Sequence, residues 1–161
     1  MTRLMDHPKG ALAELNEEIT IREIEKKDLE GLCRLYEELL EEPHDIASME
    51  KGFAAVDNDP NDHVIVACIG DEVAGTMQYT VIPSLACDNR PHVAVEYVIV
   101  GSEHRRKGIA RKMFRYAFDD MESTGPVCIF LVSGAGRKEA HILYKEIGFD
   151  DDVLGFRRSY I

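Results

Sequence analysis

The sequence predicts an α/β (α+β) fold in which one mixed β-sheet carries helices on both faces. Apolar runs of strand length recur along the chain, and several are followed by amphipathic helical stripes. Early strands are joined by a tight turn, whereas later strands alternate with helices, which is the element order of a mixed sheet. With 161 residues, 45% of them hydrophobic, the chain is long enough for one domain with a full core.

The first half of the chain predicts a strand, two helices and a hairpin. Residues 19–24 alternate between apolar and polar side chains, as a half-buried strand does. The next apolar residues are spaced by three and four after Asp28, which predicts a helix capped by Asp28. A shorter helix is predicted at 47–56. Two strand-length runs, 63–69 and 73–82, flank a short turn and predict a β-hairpin.

The second half predicts strands that alternate with helices. The mostly apolar run 92–100 has the composition of a central strand. An amphipathic stripe that begins at Ala110 predicts the next helix. A buried strand over 127–132 and a helix over 138–147 follow, and the apolar residues at 153–161 predict a last strand.

Composition bounds the class of protein. Residues 1–18 are polar and predict an extension that precedes a single domain over 19–161. The net charge of -11 disfavours nucleic acid as a partner, because nucleic-acid binding needs a broad basic surface. The sequence has no apolar run of about 18 residues for a membrane helix and no secretory signal. We therefore expect a cytoplasmic protein without a membrane partner.

Cysteine and histidine patterns predict neither a metal site nor covalent catalysis. The four cysteines form no C-x-x-C pair, and three lie in apolar segments, which favours reduced core residues. No spacing of His and Cys predicts a metal. Cys128 and Ser133 have no histidine partner in the sequence pattern, so no nucleophile is predicted. His104 and His141 are expected on the surface or in helix packing.

The strongest functional signal lies between the central strand and the following helix. Three consecutive cations, Arg105 to Lys107, precede Gly108 at the predicted start of that helix. Backbone N–H groups at a helix N-terminus bind anions, and a glycine lets a ligand approach them. A concentrated cationic segment in an acidic chain favours a small phosphate or pyrophosphate ligand. The loop amides are expected to matter more than the side chains.

Two motifs resemble the GCN5-related N-acetyltransferases. The first motif is Arg105-Arg106-Lys107-Gly108-Ile109-Ala110, which matches that family's (Q/R)-x-x-G-x-(G/A) loop. The strand before it, Val98-Ile99-Val100, resembles the family's bulged central strand. The other, Ala140 to Phe149, resembles its signature of a tyrosine four residues before a Gly-Phe pair. The resemblance covers about 19–161, and both motifs occur in the predicted order and context.

This resemblance implies a centrally splayed sheet and acetyl-CoA as co-substrate. The pyrophosphate is then expected on the N–H groups of Arg106 to Ala110. The pantetheine arm is expected to pair with the backbone of Val98 and Val100, like an added strand. Arg137 stands where the family often has Asn, so a phosphate contact and an exposed position are both left open. The residues expected to bind the cofactor are Val98, Ile99, Val100, Arg105, Arg106, Lys107, Gly108, Ile109, Ala110 and Arg137.

Two residues are expected to be catalytic. Glu96 lies in an otherwise apolar strand, where burial would raise its pKa and suit it to act as a general base, directly or through water. Its alternatives are a position on the open side of the sheet or a role as counter-charge for the amine. Tyr144 matches the family's general acid for the leaving thiolate. Its alternative is an aromatic core residue.

The predicted activity is transfer of an acetyl group from acetyl-CoA to a primary amine of a small molecule or peptide by direct attack. The alternative is a catalytically idle acyl-CoA-binding or interaction module of the same fold. Exposed acids in two loops would suit a cationic acceptor, although a solvated acidic surface is equally expected. These acids are Glu41, Glu42, Asp45, Asp57, Asp59 and Asp88. Family members often dimerise, which leaves a homodimer open.

Overall fold

A computed structural model describes residues 18–160, and in this range five strands form one sheet in chain order. The strands are β1 Ile19–Glu23, β2 Asp62–Ile69, β3 Glu72–Ile82, β4 His92–Val100 and β5 Cys128–Leu131. Neighbours from β1 to β4 pair antiparallel, whereas β4 and β5 run parallel. The same range contains α-helices α1 Leu29–Leu40, α2 Ile46–Asp57, α3 Ile109–Ser123 and α4 Lys138–Glu146. The predicted mixed α/β fold is confirmed.

Helices cover both faces of the sheet, as the sequence predicts. One face packs against α3 and α4 in a core that contains Met77, Val95 and Phe114. The opposite face packs against α1 and α2, with Leu32 and Leu35 of α1 fully covered. The end of β4 and the start of α3 therefore meet where the sheet has a helical layer on each side. No helix in the described range is long and apolar enough to cross a membrane.

A charged pair fixes the start of α1 to β1. The Arg22 guanidinium donates to both carboxylate oxygens of Asp28, at 2.6 and 2.9 Å. The Glu25 N–H donates to the same carboxylate at 2.8 Å. Asp28 precedes α1 as predicted, but its carboxylate does not cap the helix. The capping prediction is wrong because two stronger, charge-assisted hydrogen bonds from Arg22 hold that carboxylate instead.

Two sequence predictions fail near β5 and the C-terminal segment. Residues 153–160 form no strand, and no backbone hydrogen bond joins them to β5. Their apolar side chains have no core to enter, since Phe156 is 95% exposed. Cys128 is exposed rather than in the core, because β5 is an edge strand among the described residues. The predicted extension lies outside the described residues, except for residue 18.

Candidate active site

A β-bulge at Tyr97 turns β4 away from β5. The two strands pair from His92 to Val95 and no further, and the register of β4 against β3 shifts between Thr76 and Gln78. Tyr97 has a φ of 50°, a left-handed conformation that is uncommon outside glycine and typical of an inserted residue. The strands consequently part beyond Val95, which confirms the centrally splayed sheet.

The splay opens into a cleft of about 860 Å³. Its walls are the end of β4, the loop before α3, the first turn of α3 and one side of α4. All residues predicted to bind the cofactor line this cleft except Lys107, and Tyr144 lines it too. The two sequence motifs, about thirty positions apart in the chain, therefore face one cavity. Sequence reasoning did not single out Lys138 and Leu143, which also line it.

The loop before α3 presents unpaired backbone amides. Arg106 and Gly108 have left-handed φ values of 66° and 76°. A Cβ atom at Gly108 would meet no atom within 4 Å, so the backbone is open to a ligand. Among the described residues, no backbone partner accepts from the amides of residues 106–111, and the first helical bond is from Lys112 to Gly108 at 3.2 Å. Such a row of free N–H groups at a helix start is an anion-binding arrangement.

The Arg105 side chain is bound within the protein rather than free for an anion. Its Nε donates to the Val100 carbonyl at 3.1 Å, and its Nη2 donates to Glu38 Oε1 of α1 at 2.5 Å. The other Glu38 oxygen accepts the Ser102 N–H at 3.3 Å. The cation predicted to attract phosphate is thus largely neutralised by Glu38. This arrangement fits the expectation that amides outweigh side chains in the loop.

His104 forms a second link between the loop and the sheet. Its Nε2 lies 3.0 Å from Glu72 Oε1 at the start of β3. The hydrogen bond from His104 holds the pKa of the Glu72 carboxyl below its usual value. His104 Nδ1 is buried without a hydrogen-bond partner in the described structure. The side chain, 14% exposed, packs between the main cleft and a small cavity of about 170 Å³ rather than on a helix.

Tyr144 reaches the cleft from α4, with its ring in the core. Phe114 and Phe149 contact the ring edge-on, at centroid distances of 5.9 and 6.1 Å. Burial raises the pKa of the Tyr144 phenol, and the nearby Arg137 cation opposes that rise. Both the catalytic and the core interpretation of Tyr144 are therefore compatible with its position, because the ring is buried while the residue lines the cleft.

Arg137 spans the gap between β4 and the segment that follows β5. Its Nη2 donates to the Val98 carbonyl at 3.2 Å. This carbonyl is one of the backbone groups expected to receive the pantetheine arm. Of the two positions left open for Arg137, the residue is exposed although its guanidinium is hydrogen-bonded to β4, and the phosphate contact stays a prediction.

Glu96 lies on the other face of β4 from the core residues Val95 and Val98. It pairs across the sheet with Gln78 and is exposed. The expectation that Glu96 is buried is therefore wrong, and the alternative position on the open side of the sheet fits its exposure. Glu96 does not line the cofactor cleft. Beside it, Tyr97 packs on Tyr36 of α1 with ring centroids 5.5 Å apart.

Near the two ends of β5, a cysteine and a serine each lie beside a histidine, which the sequence pattern did not reveal. Cys128 Sγ lies 3.3 Å from His92 Nδ1, because the parallel register places these residues opposite each other. Ser133 Oγ lies 3.2 Å from His141 Nε2 of α4. The inference that Cys128 and Ser133 lack histidine partners is therefore wrong. Neither pair lines the cleft between β4 and α4.

The fold and site define an α/β domain whose splayed sheet joins an anion-binding loop to a buried tyrosine. A sequence model of the acetyltransferase (GNAT) family matches residues 29–149, and the chain belongs to this family. The comparison with curated proteins gives no match.

Solved structures share the fold over nearly their whole length. A transcriptional regulator from Bacillus halodurans C-125 is 26% identical, with a TM-score of 0.83 over 89% of this chain and 100% of that one. Glucosamine-6-phosphate N-acetyltransferase from Arabidopsis thaliana is 17% identical, with a TM-score of 0.80 over 90% and 100%. An aminoglycoside acetyltransferase from an uncultured soil metagenomic sample is 18% identical, with a TM-score of 0.76 over 92% and 100%.

Proposed function

We propose that this protein transfers an acetyl group from acetyl-CoA to a primary amine. The observation that carries the proposal is the single cleft that brings together the free amides before α3, the parted end of β4 and Tyr144. Membership of the acetyltransferase (GNAT) family supports the same reaction class. We assign the catalytic domain to residues 19–161.

The residues of the cleft fit acetyl-CoA, which would supply an activated thioester. The amides of Arg106 to Ala110 would hold the pyrophosphate. The backbone of Val98 and Val100 would hold the pantetheine arm, as a strand edge holds an extended peptide. Arg137 donates to the Val98 carbonyl in the free protein, and that oxygen has a second lone pair that could accept from the arm. Arg137 itself lines the cleft.

The proposed reaction is a direct transfer between thioester and amine. The neutral amine attacks the carbonyl carbon, the new C–N bond forms, and the C–S bond breaks. Glu96 accepts the proton that the nitrogen loses, directly or through water, and the Val98 N–H polarises the carbonyl. Tyr144 donates a proton to the departing sulfur. Its raised pKa keeps the phenol protonated at neutral pH, as this role requires.

The acceptor is proposed to approach from the side of β4 that Glu96 faces. Tyr36 packs on both Tyr97 of β4 and His44 of the α1–α2 junction, and this junction carries the exposed carboxylates Glu41, Glu42 and Asp45. Together with Glu96 they favour a cationic amine by electrostatic attraction. The fold-level neighbours include acetyltransferases of an aminosugar phosphate and of aminoglycosides, which are amine acceptors of two different charges.

Calorimetry with acetyl-CoA, followed by a thiol-release assay over an amine panel, tests the proposal. The panel contains a polyamine, an aminoglycoside, an aminosugar phosphate and a lysine peptide. We expect binding of acetyl-CoA and thiol release with at least one cationic amine. Binding without release for every amine would support the idle module. Absence of acetyl-CoA binding would reject both the acetyltransferase and the idle acyl-CoA-binding module.

A further inference from the structure

We infer that Glu38 of α1 is a positioning residue for the loop that precedes α3. It holds Arg105 and the Ser102 amide, and through them it keeps the loop amides in the shape that binds an anion. The inference rests on the proposed acetyl-CoA function for its ligand, although the loop geometry itself does not depend on the ligand's identity. Nothing in the sequence near the loop motif points to Glu38, which lies on another element.

The hydrogen bonds place Glu38 at the centre of the loop's support. One carboxylate oxygen accepts from Ser102 N–H at 3.3 Å, and the other accepts from Arg105 Nη2 at 2.5 Å. Arg105 Nε in turn donates to the Val100 carbonyl at 3.1 Å. A single carboxylate thereby connects α1, the last residue of β4 and the middle of the loop.

Besides Glu38, the side-chain support of the loop is the contact of His104 with Glu72, two residues before Arg106. The turn before it is held by Gly101 N–H on the Ala74 carbonyl and by His104 N–H on the Gly101 carbonyl, both at 2.9 Å. No backbone hydrogen bond involves residues 105–107 within the described range. Arg106 nevertheless adopts a left-handed conformation, which costs about 1 kcal/mol or more and must be maintained by its surroundings. The contact between Arg105 and Glu38 is the nearest side-chain contact that can maintain it.

The negative charge of Glu38 makes a positioning role distinguishable from a purely electrostatic effect on anion binding. A carboxylate near an anion site weakens anion binding by Coulomb repulsion, so its removal alone should strengthen binding. A carboxylate that pre-organises the site has the opposite effect, because its removal leaves the loop to be ordered by the ligand. The sign of the change in acetyl-CoA affinity therefore separates positioning from simple electrostatics.

Two variants and a matched control measure whether the affinity for acetyl-CoA falls or rises. We expect Glu38→Ala to raise the Kd and KM for acetyl-CoA about three- to fivefold, because its ion pair with Arg105 is partly exposed, with kcat within about twofold. Arg105→Ala should give a similar loss, and the double variant should lose no more than either single variant. Glu103→Gln is the control, since Glu103 lies in the same turn but makes no hydrogen bond or ion pair among the described side chains. Its affinity should stay unchanged or rise slightly.

Amide hydrogen exchange in the free protein gives a readout that does not depend on acetyl-CoA. We expect the hydrogen-bonded amides that flank the loop, those of Gly101, His104 and Lys112, to exchange faster in Glu38→Ala than in wild type or Glu103→Gln, with the rest of the chain unchanged. Unchanged exchange, tighter acetyl-CoA binding by Glu38→Ala, or additive losses in the double variant would each overturn the inference. Faster loop exchange in a protein that binds no acetyl-CoA would support the positioning role and reject the proposed function instead.

Discussion

The two sides of β4 are built in different ways. On the cofactor side, where acetyl-CoA is proposed to bind, the walls of the cleft are short stretches of chain: the end of β4, the loop around Gly108, the first turn of α3 and one side of α4. On the acceptor side, where the amine is proposed to approach, the surroundings are side chains from separate elements, such as the exposed Glu96 and Tyr97 of β4 and the half-buried Tyr36 of α1. The bulge at Tyr97 divides the two sides.

This difference explains why the ligand of one side is easier to infer than the ligand of the other. A backbone anion site needs particular residue types at fixed spacing, and so it leaves a motif in the sequence. A surface of side chains from distant elements leaves no such pattern. Changes on the cofactor side should therefore affect every acceptor alike, whereas changes on the acceptor side should depend on the amine.

The largest effect is expected from Gly108→Val on the cofactor side. A β-branched residue at a φ of 76° is strained, and its side chain would occupy the space beside the free amides. We expect acetyl-CoA binding to weaken about a hundredfold or more, which corresponds to about 2.7 kcal/mol. Calorimetry on the folded variant measures this loss.

Gly125→Val is the matched control for that variant. Gly125 has a φ of 66° and equally open surroundings, but it follows α3 and does not line the cleft. It should carry a similar stability cost while it binds acetyl-CoA normally. Equal losses of affinity in both variants would show that strain, rather than the ligand's contact with the loop, causes the effect.

Tyr144→Phe should have the next largest effect, and on kcat alone. Phenylalanine preserves the packing on Phe114 and Phe149, while the proton donor is lost. We expect kcat to fall by about 100-fold with acetyl-CoA affinity within about twofold, since a general acid contributes at least that much. Tyr116→Phe, on α3 outside the cleft, is the control. A loss of affinity equal to the loss of kcat would contradict the acid role.

The pH dependence of kcat sharpens the same test. Burial raises the pKa of Tyr144, so the folded protein holds this proton above the ordinary tyrosine pKa of about 10. Wild-type kcat should consequently show no loss of the acid up to about pH 10. An alkaline decline at lower pH that disappears in Tyr144→Phe would contradict the raised pKa.

The sequence could predict the cofactor side in detail because its signals are local. Apolar periodicity located β4 and α4, and the cationic run with Gly108 located the anion loop. Contacts between distant elements could not be predicted: Glu38 meets Arg105 only because α1 packs beside the end of β4. The exposed position of Glu96 was only one of the alternatives, because an apolar strand pattern does not show where a bulge opens the sheet. The unpaired segment 153–160 was misjudged because strand propensity does not supply a pairing partner.

Glu96→Gln should give a moderate effect that depends on the acceptor. The amide keeps the shape but neither accepts the proton nor attracts a cationic amine, so we expect kcat/KM for the amine to fall about tenfold at neutral pH. Activity should recover partly at higher pH, where the amine is already neutral. The KM for acetyl-CoA should not change. Glu42→Gln, an exposed acid of the α1–α2 junction, controls for the loss of surface charge. A change in the KM for acetyl-CoA alone would contradict the proposed role of Glu96 on the acceptor side of β4.

Asp28→Asn should have the smallest effect on catalysis and a clear effect on stability. Burial pushes the pKa of Asp28 up, but the hydrogen bonds from Arg22 and the Glu25 amide outweigh burial and lower it. A lowered pKa means that the stabilisation is present above the ordinary aspartate pKa of about 3.9 and is lost as the pH falls through the lowered value. We expect a loss of roughly 2 kcal/mol at pH 7, measured by denaturant unfolding.

The pH dependence and a control variant distinguish the buried pair from general surface charge. The stability difference between wild type and Asp28→Asn should shrink between pH 7 and a pH well below the ordinary aspartate pKa of about 3.9, because the unfolded chain takes up the proton there first. Glu25→Gln removes an exposed partner of Arg22, at 3.5 Å, and should change stability little because exposed ion pairs are weak. Since Asp28 anchors α1 to β1 away from the reacting groups, kcat should be unchanged. A stability difference of the same size at both pH values would show that the shape of the Asp28 side chain, and not its charge, anchors α1 to β1. Glu38 and part of the acceptor side depend on the position of α1.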